Sequence, residues 1–167
     1  KVDKKIRPCL SKKMEFKLRP FEIDDLHSLV KYANNEKIAQ FMTNQFPHPY
    51  TEETGKAYIE FCMSHNPTRI FTFEINGKAS GGIGIHPQAD IMCKNAELGY
   101  WLAEPFWNLG IVSKAVIQAL DYGFKTFDIN RIYARPFSNN LASQKVLEKC
   151  GFKLEARIEK NIFKNGE

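Results

Sequence analysis

The dipeptide Asn76-Gly77 stands between two stretches of alternating apolar and polar residues, and it constrains the fold of this chain more than any other local feature. Asn-Gly is the strongest short signal for a two-residue hairpin turn, because both residues readily adopt positive φ angles. Residues 69–75 and 78–86 are therefore predicted to pair as antiparallel strands. This hairpin belongs to a single sheet around which the other elements are expected to pack.

The spacing of apolar residues elsewhere predicts an alternation of strands and helices. Strands are expected at residues 14–19, 90–102 and 131–137 and from Phe152 onward. Helices are expected at about residues 22–34, from Thr51, from near Ile111 to about Phe127, and at about residues 140–149. The predicted fold class is mixed α+β.

Charge is unevenly distributed along the 167 residues. The first 20 residues hold eight Lys and Arg against two Asp and Glu, whereas the remainder is close to neutral. We therefore expect a basic N-terminal extension at residues 1–13 and a single domain over residues 14–167, a length that one hydrophobic core can serve. Nucleic-acid binding by the extension alone would be weak and sensitive to salt.

Cysteine and histidine are too scattered to indicate a metal site. The cysteines are Cys9, Cys62, Cys93 and Cys150, and the histidines are His27, His48, His65 and His86. They lack the short spacing of zinc ligands, and no apolar run reaches the roughly 18 residues of a membrane span. The composition is typical of a soluble cytoplasmic protein that has no metal cofactor and does not associate with membranes.

The last four residues, Lys164-Asn-Gly-Glu167, repeat the hairpin signal where the sequence stops. A turn without a following strand leaves a sheet edge unpaired. We expect that a C-terminal strand is missing from this polypeptide, or that another chain supplies the pairing, as a homodimer would.

Two phrases in the second half of the chain carry the strongest indication of function. The first, residues 106–115, follows a strand-like run at 96–102 and opens a helix near Ile111. The N-terminal end of such a helix offers unpaired N–H groups, and Gly110 lets the backbone approach a phosphate closely. The second phrase is Asn140-Leu-Ala-Ser143 followed by Val146-Leu-Glu-Lys-Cys-Gly-Phe152.

From about Met14 to Glu167 the chain resembles the GNAT superfamily of N-acetyltransferases, and within it the RimJ/RimL-like branch. The two phrases carry the resemblance together with Glu97-Leu-Gly-Tyr-Trp101, Leu18-Arg-Pro20 and Pro49-Tyr50-Thr51. The resemblance implies a central, mostly antiparallel sheet that is flanked by helices and splays between its fourth and fifth strands. Those strands would be residues 97–103 and 131–137. It also implies acetyl-CoA as co-substrate and an amine as acceptor.

The resemblance further assigns coenzyme A binding to the fourth strand and the loop after it. Backbone groups near Trp101 and Leu102 would hydrogen-bond the pantetheine arm, as an added strand does. The family's pyrophosphate loop, Gln/Arg-x-x-Gly-x-Gly/Ala, places Trp107, Gly110 and Val112 at its marked positions, of which only Gly110 matches. The remaining predicted contacts come from Asn108, Ile111, Ser113 and Asn140. Asn140 has an ordinary alternative role as a helix N-cap.

Two residues are predicted to handle protons. In the family pattern Ser143 faces the sulfur, where its hydroxyl would protonate the departing CoA thiolate. Glu97 lies thirteen positions before Gly110, near where many GNAT enzymes place a glutamate, and it is predicted to deprotonate the amine. Its alternative role is that of an exposed strand carboxylate or a salt-bridge partner. Some RimL-type enzymes are thought to use a later glutamate, but that position is Ile162 here, with Glu159 three residues away.

The predicted function is transfer of the acetyl group of acetyl-CoA to a primary amine, either a protein N-terminal α-amine or a small amine, by direct attack in a ternary complex. A non-catalytic acyl-CoA-binding protein is one alternative, which Val112 and Ile162 leave open. A basic nucleic-acid-binding module is another, although it leaves both phrases unexplained. The sequence does not select the acceptor.

Overall fold

The computed structural model describes residues 14–164 and Gly166. A five-stranded sheet crosses the molecule in the order β1-β2-β3-β4-β5. Its strands are Lys17–Pro20 (β1), Ile70–Ile75 (β2), Lys78–Pro87 (β3), Asn95–Leu102 (β4) and Arg131–Tyr133 (β5). Neighbouring strands are antiparallel, except that β5 runs parallel to β4. The predicted basic extension lies outside the described residues, as do Asn165 and Glu167 of the predicted terminal turn.

Helices cover both faces of this sheet. They are Leu26–Ala33 (α1), Glu36–Ala39 (α2), Glu52–Met63 (α3), Ile111–Thr126 (α4) and Leu141–Lys149 (α5). Leu29 of α1 and Ile59 of α3 are buried in one core, and Val116 of α4 and Leu147 of α5 are buried in the other. The predicted mixed α+β fold with a mostly antiparallel sheet is confirmed.

The hairpin predicted at Asn76-Gly77 forms as expected. Asn76 has a φ of 52° and Gly77 a φ of 72°, and Ile75 pairs directly with Lys78. Both φ angles lie in the left-handed region, which is the conformation that tight two-residue hairpins require. Local turn chemistry therefore sets the register of β2 against β3.

Side chains on β4 alternate between the two cores. Leu98 and Leu102 pack with α4 and α5, whereas Trp101 is buried beneath α1 and α3. This alternation follows from the two-residue period of a strand. Glu97, Gly99 and Trp101 consequently share one face of the sheet, as predicted.

Two predicted elements begin later than expected. The strand predicted from residue 90 starts at Asn95, because Asp90 has a φ of 54° and opens a short 3₁₀ turn that ends at Met92. The helix predicted at about 22–34 is split into a 3₁₀ turn, Ile23–Asp25, and α1. Asp25 accepts hydrogen bonds from the guanidinium of Arg19 on β1, which ties this turn to the sheet.

The end of the sheet differs most from prediction. The strand predicted at 131–137 stops at Tyr133, and β4 and β5 pair only through Asn95, Ala96 and Glu97 on β4. The strand predicted from Phe152 is wrong, because residues 152–158 belong to no strand. A strand needs a neighbour to satisfy its backbone N–H and C=O groups, and the described residues place none beside this segment.

Candidate functional site

The sheet opens where β4 continues past its pairing with β5. Beyond Glu97, the edge of β4 that faces away from β3 has no strand partner within the described residues. The splay predicted between the fourth and fifth strands is thereby confirmed. The backbone groups that follow Glu97 on this edge are positioned to pair with an extended ligand.

One acceptor on this edge is already engaged. The indole Nε1 of Trp107 donates a hydrogen bond to the carbonyl of Leu102 at 2.6 Å. Trp107 thus closes the loop back onto β4 instead of standing free beside a phosphate. The side chain of Trp101 is buried and meets Phe46 edge to face, with ring centroids 5.4 Å apart, and its backbone pairs with Gly82 on β3. Trp101 therefore offers no group to the open edge, contrary to prediction.

The loop after β4 leads into the N-terminal end of α4, as predicted. Gly110 caps the helix with a φ of 71°, in the left-handed region that suits glycine, and Asn108 has a φ of 60°. The side chain of Ile111 is buried in the core, so this residue can offer only its backbone N–H. Val112 also packs against the core, while Ser113 lies half-buried in the first turn.

A cavity of about 330 Å³ lies between the start of α4 and the end of α5. It is lined by Gly110, Ser113, Lys114, Ile117, Lys149 and Cys150. Two lysines and a helix N-terminus make this cavity suitable for an anion such as a phosphate. The structure brings the predicted Gly110 and Ser113 together with Lys149, which the sequence analysis did not single out although it stands within the second phrase.

Asn140 and Ser143 lie at the start of α5, facing β4. The Asn140 side chain accepts a hydrogen bond from the Ser143 N–H at 3.1 Å, so Asn140 is the helix N-cap. The Ser143 hydroxyl lies 2.8 Å from the hydroxyl of Tyr100 on β4. Burial raises the pKa of Tyr100 to about 12, and the hydrogen bond to Ser143 opposes that shift. The Tyr100 hydroxyl therefore keeps its proton near neutral pH.

Glu97 is held by an arginine from the segment that follows β5. Arg135 Nε donates to Glu97 Oε1 at 2.9 Å, and Arg135 Nη2 donates to Oε2 at 2.7 Å. The Glu97 side chain is 25% exposed and that of Arg135 is 62% exposed. The alternative role considered for Glu97, that of a salt-bridge partner, is present in the structure.

His86 on β3 lies directly across from Glu97 and was not among the predicted site residues. Burial lowers the pKa of the half-buried imidazole, and the nearby charge of Glu97 opposes that effect. The sequence carried a faint signal for this site. His86 ends an alternating stretch whose members on the same face include Gly82 and Gly84, which add no side chains of their own beside it.

Some RimL-type enzymes are thought to use a later glutamate, for which Ile162 and Glu159 were considered. In the described part of the chain, neither residue forms a hydrogen bond or ion pair with this site. Glu159 is exposed, and the side chain of Ile162 is 51% exposed. Both lie in the segment after α5 that forms no strand.

Residues 14–164 and Gly166 contain neither a metal-binding cluster nor a membrane-spanning helix. No group of three or more His, Cys, Asp or Glu side chains is arranged to hold a metal ion. The helices of that part of the chain are too short or too polar to cross a membrane.

Comparison with known proteins identifies the family. The Acetyltransferase (GNAT) domain matches residues 15–153. The chain is 34% identical over 148 residues to the uncharacterized N-acetyltransferase YoaA of Bacillus subtilis (strain 168), an alignment that covers 87% of this chain and 77% of YoaA. The chain therefore belongs to the GNAT family of acetyltransferases, as its sequence phrases predicted.

Solved structures show the same fold. The ribosomal L7/L12 α-N-protein acetyltransferase RimL, in complex with coenzyme A, matches with a TM-score of 0.75 and 22% identity, over 91% of this chain and 88% of RimL. The spermidine N-acetyltransferase of Vibrio cholerae, in complex with CoA and spermine, matches with a TM-score of 0.74 and 24% identity, over 90% of this chain and 88% of the other. At these identities the likeness establishes a fold that this chain shares with RimL and with the spermidine enzyme.

Proposed function

We propose that this chain transfers the acetyl group of acetyl-CoA to a primary amine by direct attack within a ternary complex. The observation that carries the proposal is the open edge of β4 as a path for a ligand: the loop after β4 leads to the cavity at Lys114 and Lys149, and Tyr100 on β4 meets the Ser143 hydroxyl. The path offers groups suited to phosphates at one end and a proton donor at the other.

The parts of coenzyme A match the groups along this path in sequence, from the phosphates to the thioester. Its phosphates would lie against the N–H groups of residues 108–113 and the two lysines, because a helix N-terminus and ammonium groups both favour anions. Its pantetheine arm would lie along β4, where the backbone edge past Glu97 takes no strand partner. Because Trp107 occupies the Leu102 carbonyl, the arm would bond backbone groups earlier on the strand.

The leaving thiolate would meet a hydroxyl. Ser143 and Tyr100 share a hydrogen bond of 2.8 Å, so a proton passed from Ser143 to sulfur can be replaced from Tyr100. Thiolates are good leaving groups, and such an acid adds a modest factor to the rate. The Asn140 side chain accepts a hydrogen bond from the Ser143 N–H and so holds the backbone of Ser143 in place. Any contact of Asn140 with the pantetheine would have to be made while it caps the helix.

The amine must lose a proton before it can attack, since an ammonium nitrogen has no lone pair. Glu97 is the sequence-based candidate for this step. Glu97 is the last β4 residue that pairs with β5, and it therefore lies where the two strands begin to separate. Arg135 bonds both of its oxygens, so Glu97 would have to exchange one of those hydrogen bonds to accept a proton.

The acceptor is proposed only as a chemical class, a primary amine. RimL acts on a protein α-amine according to its name, and the Vibrio cholerae enzyme was captured with spermine. Either a protein N-terminus or a small polyamine is therefore compatible with this fold. The side chains that line the acceptor-binding site would select between them.

The test uses purified protein, acetyl-CoA and a panel of amines that contains a peptide with a free N-terminus, spermine and a simple primary amine. We expect release of free thiol that depends on one of the amines, with mass spectrometry showing the acetylated product. Binding of acetyl-CoA by calorimetry, without amine-dependent thiol release across the panel, would favour the non-catalytic acyl-CoA-binding alternative.

A further inference from the structure

The face of the sheet next to Glu97 is bare in a particular place. Gly84 on β3 pairs with Gly99 on β4, one step along from the His86 and Glu97 pair, and neither glycine has a side chain to cover the strand. Gly99 is exposed, Gly84 is buried, and Gly99 lies in the stretch of β4 beyond its pairing with β5. This bare patch therefore adjoins the stretch of β4 where the thioester would lie.

The imidazole of His86 leans over this patch. A methyl group at Gly84 would lie 2.6 Å from His86 Nε2, and one at Gly99 would lie 3.9 Å from the same nitrogen. The ring thus occupies space that a side chain at Gly84 would fill, and its Nε2 lies over the Gly84 and Gly99 pair. Within the described part of the chain, no hydrogen bond engages this ring.

The neighbours of His86 keep its lone pair available. Burial lowers the pKa of the imidazole, His65 and Arg69 from the segment before β2 act in the same direction, and Glu97 on β4 opposes them. Arg135 lies beyond Glu97 and neutralises part of that opposing charge. Both Glu97 oxygens accept hydrogen bonds from Arg135, so Glu97 would have to exchange one of them before it could take a proton from an amine, whereas His86 has no such bond to break.

We propose that His86 is the catalytic base, and that Glu97 and Arg135 form a positioning pair behind it. This inference rests on the function proposed above. His86 Nε2 takes one proton from the ammonium group of the acceptor and passes it to solvent. The amine nitrogen forms a bond to the thioester carbon and the C–S bond breaks. The nitrogen gives its second proton to solvent as the amide forms. The departing thiolate takes a proton from Ser143, which is restored from solvent through Tyr100, and leaves as the CoA thiol.

The test compares pH profiles of kcat/KM for wild type, His86→Gln and Glu97→Gln, with His27→Gln, exposed on α1, as the matched control. We expect His86→Gln to lose about 100-fold at neutral pH, at the lower end of the range for general base catalysis, and to recover as the amine deprotonates itself at high pH. Affinity for CoA should stay within about twofold of wild type. Glu97→Gln should move the acidic limb to lower pH, because it removes a charge that stabilises the imidazolium.

A second variant guards against a folding defect in His86→Gln. Gly84→Ala must displace the His86 ring without changing it, and it should show the same loss of kcat/KM with CoA affinity retained. If His86→Gln keeps the wild-type rate and acidic limb, or if Glu97→Gln alone abolishes that limb, His86 is not the base. If the wild-type protein itself releases no thiol with any amine, the proposed function fails first, so the two failures are distinguishable.

Discussion

Arg135 binds both carboxylate oxygens of Glu97 at the residue where β4 and β5 stop pairing. The two N–O distances are 2.9 and 2.7 Å, and the last paired position of the two strands is Glu97 with Tyr133. The ion pair therefore bridges the mouth of the splay, from β4 to the segment after β5. It restrains the one carboxylate that the sequence assigned to catalysis.

The first prediction concerns the strength of this pair. Because the Arg135 side chain is 62% exposed, solvent screens the interaction, and a double-mutant cycle of Glu97→Gln and Arg135→Gln should give a coupling free energy of about 1 kcal/mol or less. Urea unfolding at low and high salt measures it, and the coupling should shrink with salt. The exposed Asp121 and Lys125 pair on α4 serves as a reference of similar or smaller coupling. A coupling above about 2 kcal/mol would show that the pair is more buried in solution.

The second prediction concerns the phosphate cavity. Lys114→Gln and Lys149→Gln should each weaken CoA binding about five- to tenfold, because each removes one charge-assisted contact of roughly 1 kcal/mol or more. Pantetheine, which lacks the nucleotide phosphates, should bind both variants as it binds wild type. Lys125→Gln on α4 is the control, since Lys125 is paired with Asp121 and does not line the cavity. Equal losses for CoA and pantetheine would place the phosphates elsewhere.

The third prediction concerns the hydroxyl pair. Ser143→Ala should lower kcat with acetyl-CoA by about tenfold, since an acid contributes modestly when the leaving group is a thiolate. Tyr100→Phe should cause a similar or smaller loss, and the double variant should lose less than the product of the two, because both residues serve one proton path. Unchanged affinity for CoA would show that the variants retain an intact CoA-binding site. Full turnover by Ser143→Ala would remove it from the mechanism.

The fourth prediction concerns the pH dependence of stability. Burial lowers the pKa of His86 from its ordinary value of 6.5, so the folded protein binds this proton less tightly than the unfolded chain. The stabilising contribution is then complete above about pH 6.5 and is lost as the pH falls toward the folded-state pKa. Urea unfolding at about pH 7.5 and 5.5 should show the unfolding free energy falling with pH, and His86→Gln should reduce that fall. If the unfolding free energy of His86→Gln decreases with pH as much as that of wild type, groups other than His86 cause the decrease.

The sequence predicted local backbone conformation around the candidate site better than it predicted contacts between distant segments. Gly110 was recognised because a single residue before a helix has a conformational preference that depends on few neighbours, and its φ of 71° agrees. Asn140 was assigned two roles, and the capping role, which is also local, is present. A salt bridge was one role considered for Glu97, but its partner could not be foreseen, because Arg135 stands 38 residues away in the sequence.

The amino-acid sequence alone determined the hairpin at Asn76-Gly77, the order of the five strands and the longer helices, and the family, since these follow from turn chemistry, local periodicity and short phrases. The tertiary structure decided where β5 ends, how α4 and α5 enclose a cavity with Lys149, and what surrounds His86. Each of these depends on contacts between distant segments and on the removal of side chains from water. The charge and hydrogen-bonding state of a catalytic group is set by that environment, which no local pattern encodes.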